Sequence, residues 1–328
     1  MRESTFSFWQ DTNFNALPDQ PLSAAGNAYQ GQAGEEESWF YEAAAEDGTY
    51  LNLLLAVYDG EGRARLSLAR TGQEVLTRDI TAPFTAASTH LDLQIGYTHI
   101  RQAGDCFEVQ WKEGEMDLDL KYQPLLPGWQ PGDGRINYGE KGNKYFIWSV
   151  PVPRAEVSGT LKVAGDKKNF KGYGYHDHRR CNFPLAQALS GAYLGRFYAN
   201  DYTFLWAAFR GNRLYSGQEI TAMYLAKDRQ QVLSSGNLVV QVYEQENRDG
   251  INYPVEIDLQ GGSQPPLRVI IKNPTVVATG SISRLGARNL YCRHQGELKI
   301  ATQPELALAG QGFTEALAVI NDQVYHEK

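Results

Sequence analysis

The sequence predicts an all-β protein made of two antiparallel barrel or sandwich units, and three observations carry that expectation. Short runs rich in apolar and β-branched residues recur along the chain, punctuated by Gly, Asp, Asn and Pro, as strands and turns require. Helical periodicity is scarce, with one short turn expected at Leu185 to Leu189 after Pro184. The length of 328 residues suits two domains of about 150 residues each. The strands fall into two comparable sets that meet near residues 180–190, which sets the expected domains at 1–187 and 188–328. Many short strands joined by turns select a sandwich or barrel.

Trp39 to Ala44 and Thr49 to Tyr58 read as a hairpin across Glu46-Asp47-Gly48, and Asp59-Gly60-Glu61-Gly62 turns the chain into Arg63 to Thr71. Strands follow at Thr89 to Ile95, His99 to Arg101, Cys106 to Lys112 and Glu115 to Tyr122. Pro124 to Lys144 is rich in Pro and Gly, has no period, and reads as a long loop. Extended segments resume at Phe146 to Val150, Glu156 to Val163 and Phe170 to Asp177. In the second half, Ala192 to Ala199 and Tyr202 to Arg210 flank Asn200-Asp201 as a hairpin. Arg213 to Ala226, Gly236 to Glu244, Ile257 to Leu259 and Leu267 to Lys272 come next, then Thr275 to Ser283, Leu290 to Ile300 and Gln311 to Ile320.

Two of these strands are apolar on both faces. Tyr202, Phe204 and Trp206 share one face while Leu205 and Phe209 share the other, and Asn52 to Tyr58 is similarly two-sided. A half-solvated strand alternates apolar and polar residues instead. Two dry faces mean domain packing or a lined apolar cavity, and the expected pocket lies at the junction of the two units.

The formal charge of −7 argues against nucleic acid or an anionic membrane as partner, and the basic clusters Lys167-Lys168 and Arg179-Arg180 are too small to reverse that. No apolar run approaches the ~18 residues of a transmembrane helix. Met1 to Trp9 lacks the apolar core of a signal peptide, so the expected location is the cytoplasm. Cys106, Cys181 and Cys292 are far apart and form no disulfide framework, which suits a reducing compartment. Cys181, four residues from Asp177, is read as a buried or incidental thiol rather than a nucleophile. There is no Walker sequence, and Gly172-Tyr173-Gly174 lacks the third glycine of a dinucleotide fingerprint. No cofactor is expected.

The most informative stretch is Lys171-Gly-Tyr-Gly-Tyr-His-Asp-His-Arg179. In an extended segment Tyr175 and Asp177 project to one face, His176 and His178 to the other. A phenol beside a carboxylic acid is a proton-transfer pair, and Asp177 desolvated in an apolar pocket would stay neutral near pH 7. The plainer alternative is a strand end whose polar groups satisfy neighbouring backbone. Two imidazoles on one wall suggest metal ligands, but a stable site needs a third. Neither His90, His99, His294 nor His326 has a spacing that selects it, so no metal is expected. Glu42, flanked by apolar residues, is either exposed on an edge or buried as a second carboxylate near Asp177. Arg179-Arg180 is surface charge or a clamp on an anionic substrate group.

Around this stretch lie Tyr145-Phe-Ile-Trp-Ser-Val-Pro-Val-Pro-Arg154, Tyr193-Leu-Gly-Arg-Phe-Tyr-Ala-Asn-Asp-Tyr-Thr-Phe-Leu-Trp206 and, near the start, Ser38-Trp-Phe-Tyr-Glu42 with Asp47-Gly48. Together they resemble the carotenoid 1,2-hydratase and AttH-like superfamily, which includes survival-factor-like proteins and fungal decalin-forming Diels–Alderases. The resemblance spans roughly residue 38 to Gly310-Gln-Gly-Phe313 and implies two tandem lipocalin-like β-barrels. It implies that Tyr175 and Asp177, in the family's Tyr-x-Asp spacing, are catalytic together with an upstream tryptophan, for which Trp148 stands nearest. Many members continue with Asn-Trp-Gly where this chain has Arg179-Arg180-Cys181-Asn182, which moves the expectation from carotenoid hydration towards cyclisation.

The expected function is a cofactor-independent cyclase or isomerase acting on an unsaturated, hydrophobic polyene, polyketide or terpenoid. A hydratase of such an alkene and a non-catalytic lipid carrier are the alternatives. The expected catalytic residues are Asp177, Tyr175, His178 and Glu42. The expected substrate-lining residues are Trp39, Tyr41, Trp148, His176, Tyr198, Phe204 and Trp206. The aromatic walls among them would stabilise a developing cation through their π faces.

Overall fold

The computed structural model describes residues 27–138, 143–262, 266–280, 287–301 and 306–319. The amino-terminal segment Met1 to Trp9, the expected strand ends at 281–283 and 320, and His326 lie outside the described residues. The fold is all-β. Its first sheet comprises β1 (Glu36–Ala45), β2 (Tyr50–Tyr58), β3 (Glu61–Ala69), β4 (Leu76–Ala82), β5 (Phe84–Ala86), β6 (Asp92–Ile95), β7 (Thr98–Ala103), β8 (Cys106–Glu113), β9 (Met116–Pro124), β10 (Arg135–Tyr138), β11 (Lys144–Val163) and β12 (Asp166–Cys181). The second comprises β13 (Leu189–Ala199), β14 (Tyr202–Gly211), β15 (Glu219–Lys227), β16 (Gln230–Ser235), β17 (Leu238–Arg248), β18 (Ile251–Gly261), β19 (Leu267–Gly280), β20 (Ala287–Ile300) and β21 (Leu306–Val319). Both curl into lipocalin-like barrels, in tandem along the chain.

In each sheet the order places an early strand beside a late one: β2-β1-β12-β11 in the first, β14-β13-β21-β20 in the second. β1 and β12 are therefore neighbours although far apart in sequence, and the central motif lies on the wall they share. The described residues divide into two compact units, one within 27–130 and 147–183, the other within 131–146 and 184–319. Leu51, Leu53, Leu55 and Val57 of β2 fill the interior of the first barrel with Trp39, Tyr41, Trp111 and Tyr122. Phe197, Phe204, Trp206, Met223 and Ile271 fill the second.

Turn chemistry accounts for the hairpins. Asp59 and Gly60 both have positive φ, 52° and 77°, the geometry of a two-residue turn that Asp-Gly favours between twisted strands. The structure joins segments that the sequence splits: Phe146 to Val150 and Glu156 to Val163 are one strand, β11, running through Pro151 and Pro153. β19 likewise unites two expected strands across a register shift between Lys272 and Thr275, with Asn273 at φ 56°. Four strands form where none was expected, β4, β5, β10 and β16, and β10 lies within the segment expected as the loop Pro124 to Lys144, where it pairs with β11. β4 buries only Ile80 fully, and β16 buries only its last three residues, so neither shows an alternating apolar face. The expected strand from Arg213 opens instead with a 3-10 turn, Arg213–Tyr215, capped by the Asn212 side chain. The expected turn after Pro184 forms at Leu185–Gln187. No helix among the described residues is long and apolar enough to cross a membrane.

Candidate active site

β1 and β12 pair with Trp39 opposite His178, Phe40 opposite Asp177, Tyr41 opposite His176 and Glu42 opposite Tyr175. Opposed residues point the same way, so the period of two sorts the motif onto two faces. Trp39, Tyr41, His176 and His178 face the barrel interior, while Phe40, Glu42, Tyr175 and Asp177 face outward. The outward face is nevertheless dry: Phe40, Tyr175 and Glu42 are at most 2% exposed and Asp177 is 0% exposed.

Asp177 is held on three sides. Arg179 donates from Nε to Oδ1 at 2.8 Å and from Nη2 to Oδ2 at 2.9 Å, and the Tyr175 hydroxyl donates to Oδ2 at 3.0 Å. A two-pronged guanidinium–carboxylate pair fixes geometry as well as charge. The acid expected to be neutral beside Tyr175 is instead paired with Arg179, which lies two residues on along the same strand face. Glu42 is buried, which resolves its two expected placements. Its Oε2 accepts the Tyr50 hydroxyl at 2.7 Å. Asn52 of β2 stands opposite Glu42, so Asn52, Glu42 and Tyr175 form one row across three strands. Asn52 is 2% exposed and its Nδ2 has no hydrogen-bond partner among the described residues. Neither Asn52 nor Tyr50 was expected here; a single polar residue in an otherwise apolar run was the available signal for Asn52.

The inward face has a different chemistry. His178 donates from Nε2 to Glu37 Oε1 at 2.8 Å and stacks on Trp39 at 5.2 Å between ring centres. The second Glu37 oxygen accepts the backbone N–H groups of Ala28 and Tyr29. His176 stacks on Tyr41 at 4.0 Å with rings 4° from parallel. Burial lowers the His176 pKa to about 4, which keeps the ring neutral near pH 7. The structure therefore separates His176, His178, Trp39 and Tyr41 from Asp177 by the thickness of one strand.

The remaining expected residues are spread more widely. Trp148 meets Trp129 edge to face at 5.4 Å. Phe204 and Trp206 belong to the interior of the second barrel, where Trp206 occupies the notch left by Gly195. Tyr198 lies on β13, on the opposite face from Phe197. The far face of β14 is dry as expected, with Phe209 against Phe146 at 5.4 Å. Cys181 is buried, and burial raises its thiol pKa well above normal, which removes the thiolate that a nucleophile needs. Among the described residues no three His, Cys, Asp or Glu side chains gather as a metal site would require.

Comparison supplies the family to which this two-barrel fold belongs. Residues 80–252, more than half of the chain, match the family model described as Diels-Alderase-like, and the chain belongs to that family. Among solved structures it is similar to CghA, at TM-score 0.70 and 14% identity over 97% of each chain. It is similar to a putative AttH from Nitrosomonas europaea, at TM-score 0.68 and 13% identity over 93% of this chain and 99% of that one. It is similar also to kievitone hydratase from Nectria haematococca, at TM-score 0.64 and 15% identity over 94% and 96%. At these identities the likeness is one of fold. No functionally curated protein matches the chain.

Proposed function

We propose that the protein is a cofactor-independent cyclase that closes a ring in an unsaturated, largely apolar small molecule, a polyene, polyketide or terpenoid, against the outer face of β2-β1-β12. The observation that carries this reading is the row Asn52–Glu42–Tyr175 with the adjoining Asp177–Arg179 pair. It is a largely desolvated surface whose charged groups are fixed by hydrogen bonds and whose Asn52 amide is an uncommitted donor among the described residues. Family membership supports ring closure, and CghA, similar in fold, has been solved with the small molecule Sch210972.

The roles follow from the geometry. Asn52 donates to a substrate carbonyl and draws electron density from the conjugated alkene beside it, an interaction that strengthens in a dry site. The Tyr175–Asp177–Arg179 array keeps that wall rigid, so the reacting ends meet in a productive pose. Positioning alone is worth up to about 7–11 kcal/mol of a barrier. Glu42, held by Tyr50, is the group assigned to proton transfer where the substrate calls for it. A carboxyl that protonates an alkene, with a second carboxylate on the same face, also suits hydration.

Mass spectrometry separates these reactions, using a linear polyene that carries a diene and a carbonyl-conjugated alkene. A cyclase yields an isomer of unchanged mass, whereas a hydratase yields a product heavier by one water. For the cyclase, Asn52→Leu is expected to slow turnover by about 5- to 150-fold, the equivalent of roughly 1–3 kcal/mol, while Glu42→Gln changes a purely pericyclic rate little. If a proton is transferred, Glu42→Gln costs about 10²–10⁴-fold. Tight binding of such polyenes without conversion would make the protein a carrier and end this reading.

A further inference from the structure

The first barrel contains a set of polar atoms that the outer-face chemistry does not use. Tyr41 and Tyr122 meet edge to face at 5.4 Å, and both are 0% exposed. Among the described residues, neither hydroxyl has a hydrogen-bond partner. His176, also 0% exposed, lies parallel to Tyr41, and Phe107 closes its other side at 5.5 Å. Its Nδ1 is 3.0 Å from the Phe40 carbonyl oxygen, while its Nε2 has no partner among the described residues. Trp39, two residues from Tyr41 on the same inward face, has a buried indole N–H that is likewise unpartnered.

These groups have defined hydrogen-bonding characters. The Phe40 carbonyl only accepts, so Nδ1 carries the imidazole proton and Nε2 presents a lone pair. Burial raises the Tyr41 and Tyr122 pKa values, so both phenols remain O–H donors. A native interior leaves very few buried polar groups unsatisfied, because each costs about 1–3 kcal/mol. Three such groups in contact through their rings, Tyr41, Tyr122 and His176, with the Trp39 N–H on the same face, are the pattern of a site awaiting a ligand.

We infer that the interior of the first barrel, at Tyr41, Tyr122, His176 and Trp39, is a second binding site for a flat, neutral molecule bearing a phenolic or enolic hydroxyl. The hydroxyl hydrogen meets His176 Nε2, and its oxygen accepts from the tyrosine hydroxyls or the Trp39 N–H. Flatness is set by the parallel Tyr41 and His176 rings, against which a planar molecule stacks when a ring shifts to admit it. Neutrality follows from the absence of any formal charge among these four side chains. The site is separate from the Asp177 face, being on the other side of the same strands.

The test titrates the full-length protein with 2-naphthol, following the probe's fluorescence, and records thermal midpoints without probe. Wild type is expected to bind one equivalent. Tyr41→Phe/Tyr122→Phe, which removes two oxygens and keeps both rings, is expected to bind on the order of ten-fold more weakly. Its thermal midpoint without probe should be unchanged or higher, because it removes polar groups that have no partner. His176→Phe should weaken binding in the same direction, and Asp177→Asn should bind the probe as wild type does. No binding by wild type, or equal binding by the double variant, overturns the inference. So does a double variant that is less stable, since the hydroxyls would then be structural and bonded to internal water. Weakened binding in Asp177→Asn would move the probe to the outer face, which refutes the interior site and leaves the cyclase reading intact.

Discussion

The two faces of the β1–β12 wall are equally dry and are built on opposite principles. Outward, Asp177 is paired with Arg179 and accepts the Tyr175 hydroxyl, and Glu42 accepts the Tyr50 hydroxyl. Inward, near the centre, the polar groups are neutral and several have no partner, Tyr41, Tyr122 and His176 Nε2 among them. The difference teaches what burial tolerates. An uncompensated charge costs several kcal/mol or more, so it must be paired, whereas an unpaired phenol or imidazole costs about 1–3 kcal/mol and can be carried for a purpose. His178 marks the transition, inward-facing but bonded to a carboxylate, Glu37, near the end of the wall.

The largest expected effect comes from breaking the outward compensation. Arg179→Met removes the guanidinium from a carboxylate that is 0% exposed, and is expected to cost about 3–5 kcal/mol in urea unfolding. Adding Asp177→Asn should restore much of that loss; if the double variant is no more stable than Arg179→Met, the pair is not the compensating element.

The inward face responds to acid instead. His176, and likewise His294 on β20 of the second sheet, have pKa values lowered to about 4 by burial, from an ordinary 6.5. The unfolded chain therefore binds more protons between those values, and stability is complete above about pH 6.5 and is lost as pH falls towards 4. Each histidine contributes up to about 1.4 kcal/mol per pH unit in that window. His176→Phe should remove its share of the slope, read from unfolding midpoints at pH 5 and pH 7 (chosen as about the middle and the upper side of the window). An unchanged slope would mean that His176 is already protonated or exposed.

Gly174 sets the distance between the two chemistries. A Cβ there would lie 2.4 Å from Tyr122 Cε1, 2.5 Å from Val157 Cγ2 and 2.7 Å from the Glu42 carbonyl oxygen. Gly174→Ala is expected to cost about 1–3 kcal/mol, seen as a lower thermal midpoint. A neutral outcome would show that the Tyr122 ring moves freely, and that the inward face is less fixed than its ring contacts indicate.

Much of the architecture is legible in the amino-acid sequence. Asp59-Gly60 announces its hairpin because only certain residues take two positive φ values in succession. Asp177 and Tyr175 fall on one face, and His176 and His178 on the other, from the pleat alone. β4 and β16 are not legible, because strands that bury so few residues carry no alternating signal. The pairing of His178 with Glu37 is out of reach for another reason: 141 residues separate them, and only the β1–β12 register makes them neighbours.

The sequence by itself determined the class of fold, the two-faced character of the central strand and the residues on each side, since these depend on backbone geometry that repeats every two residues. Tertiary structure decided which face is interior, that both are dry, and that Arg179, Tyr50 and Asn52 complete the outer one. Those facts depend on register and on what lies against each strand, and a period of two is blind to both.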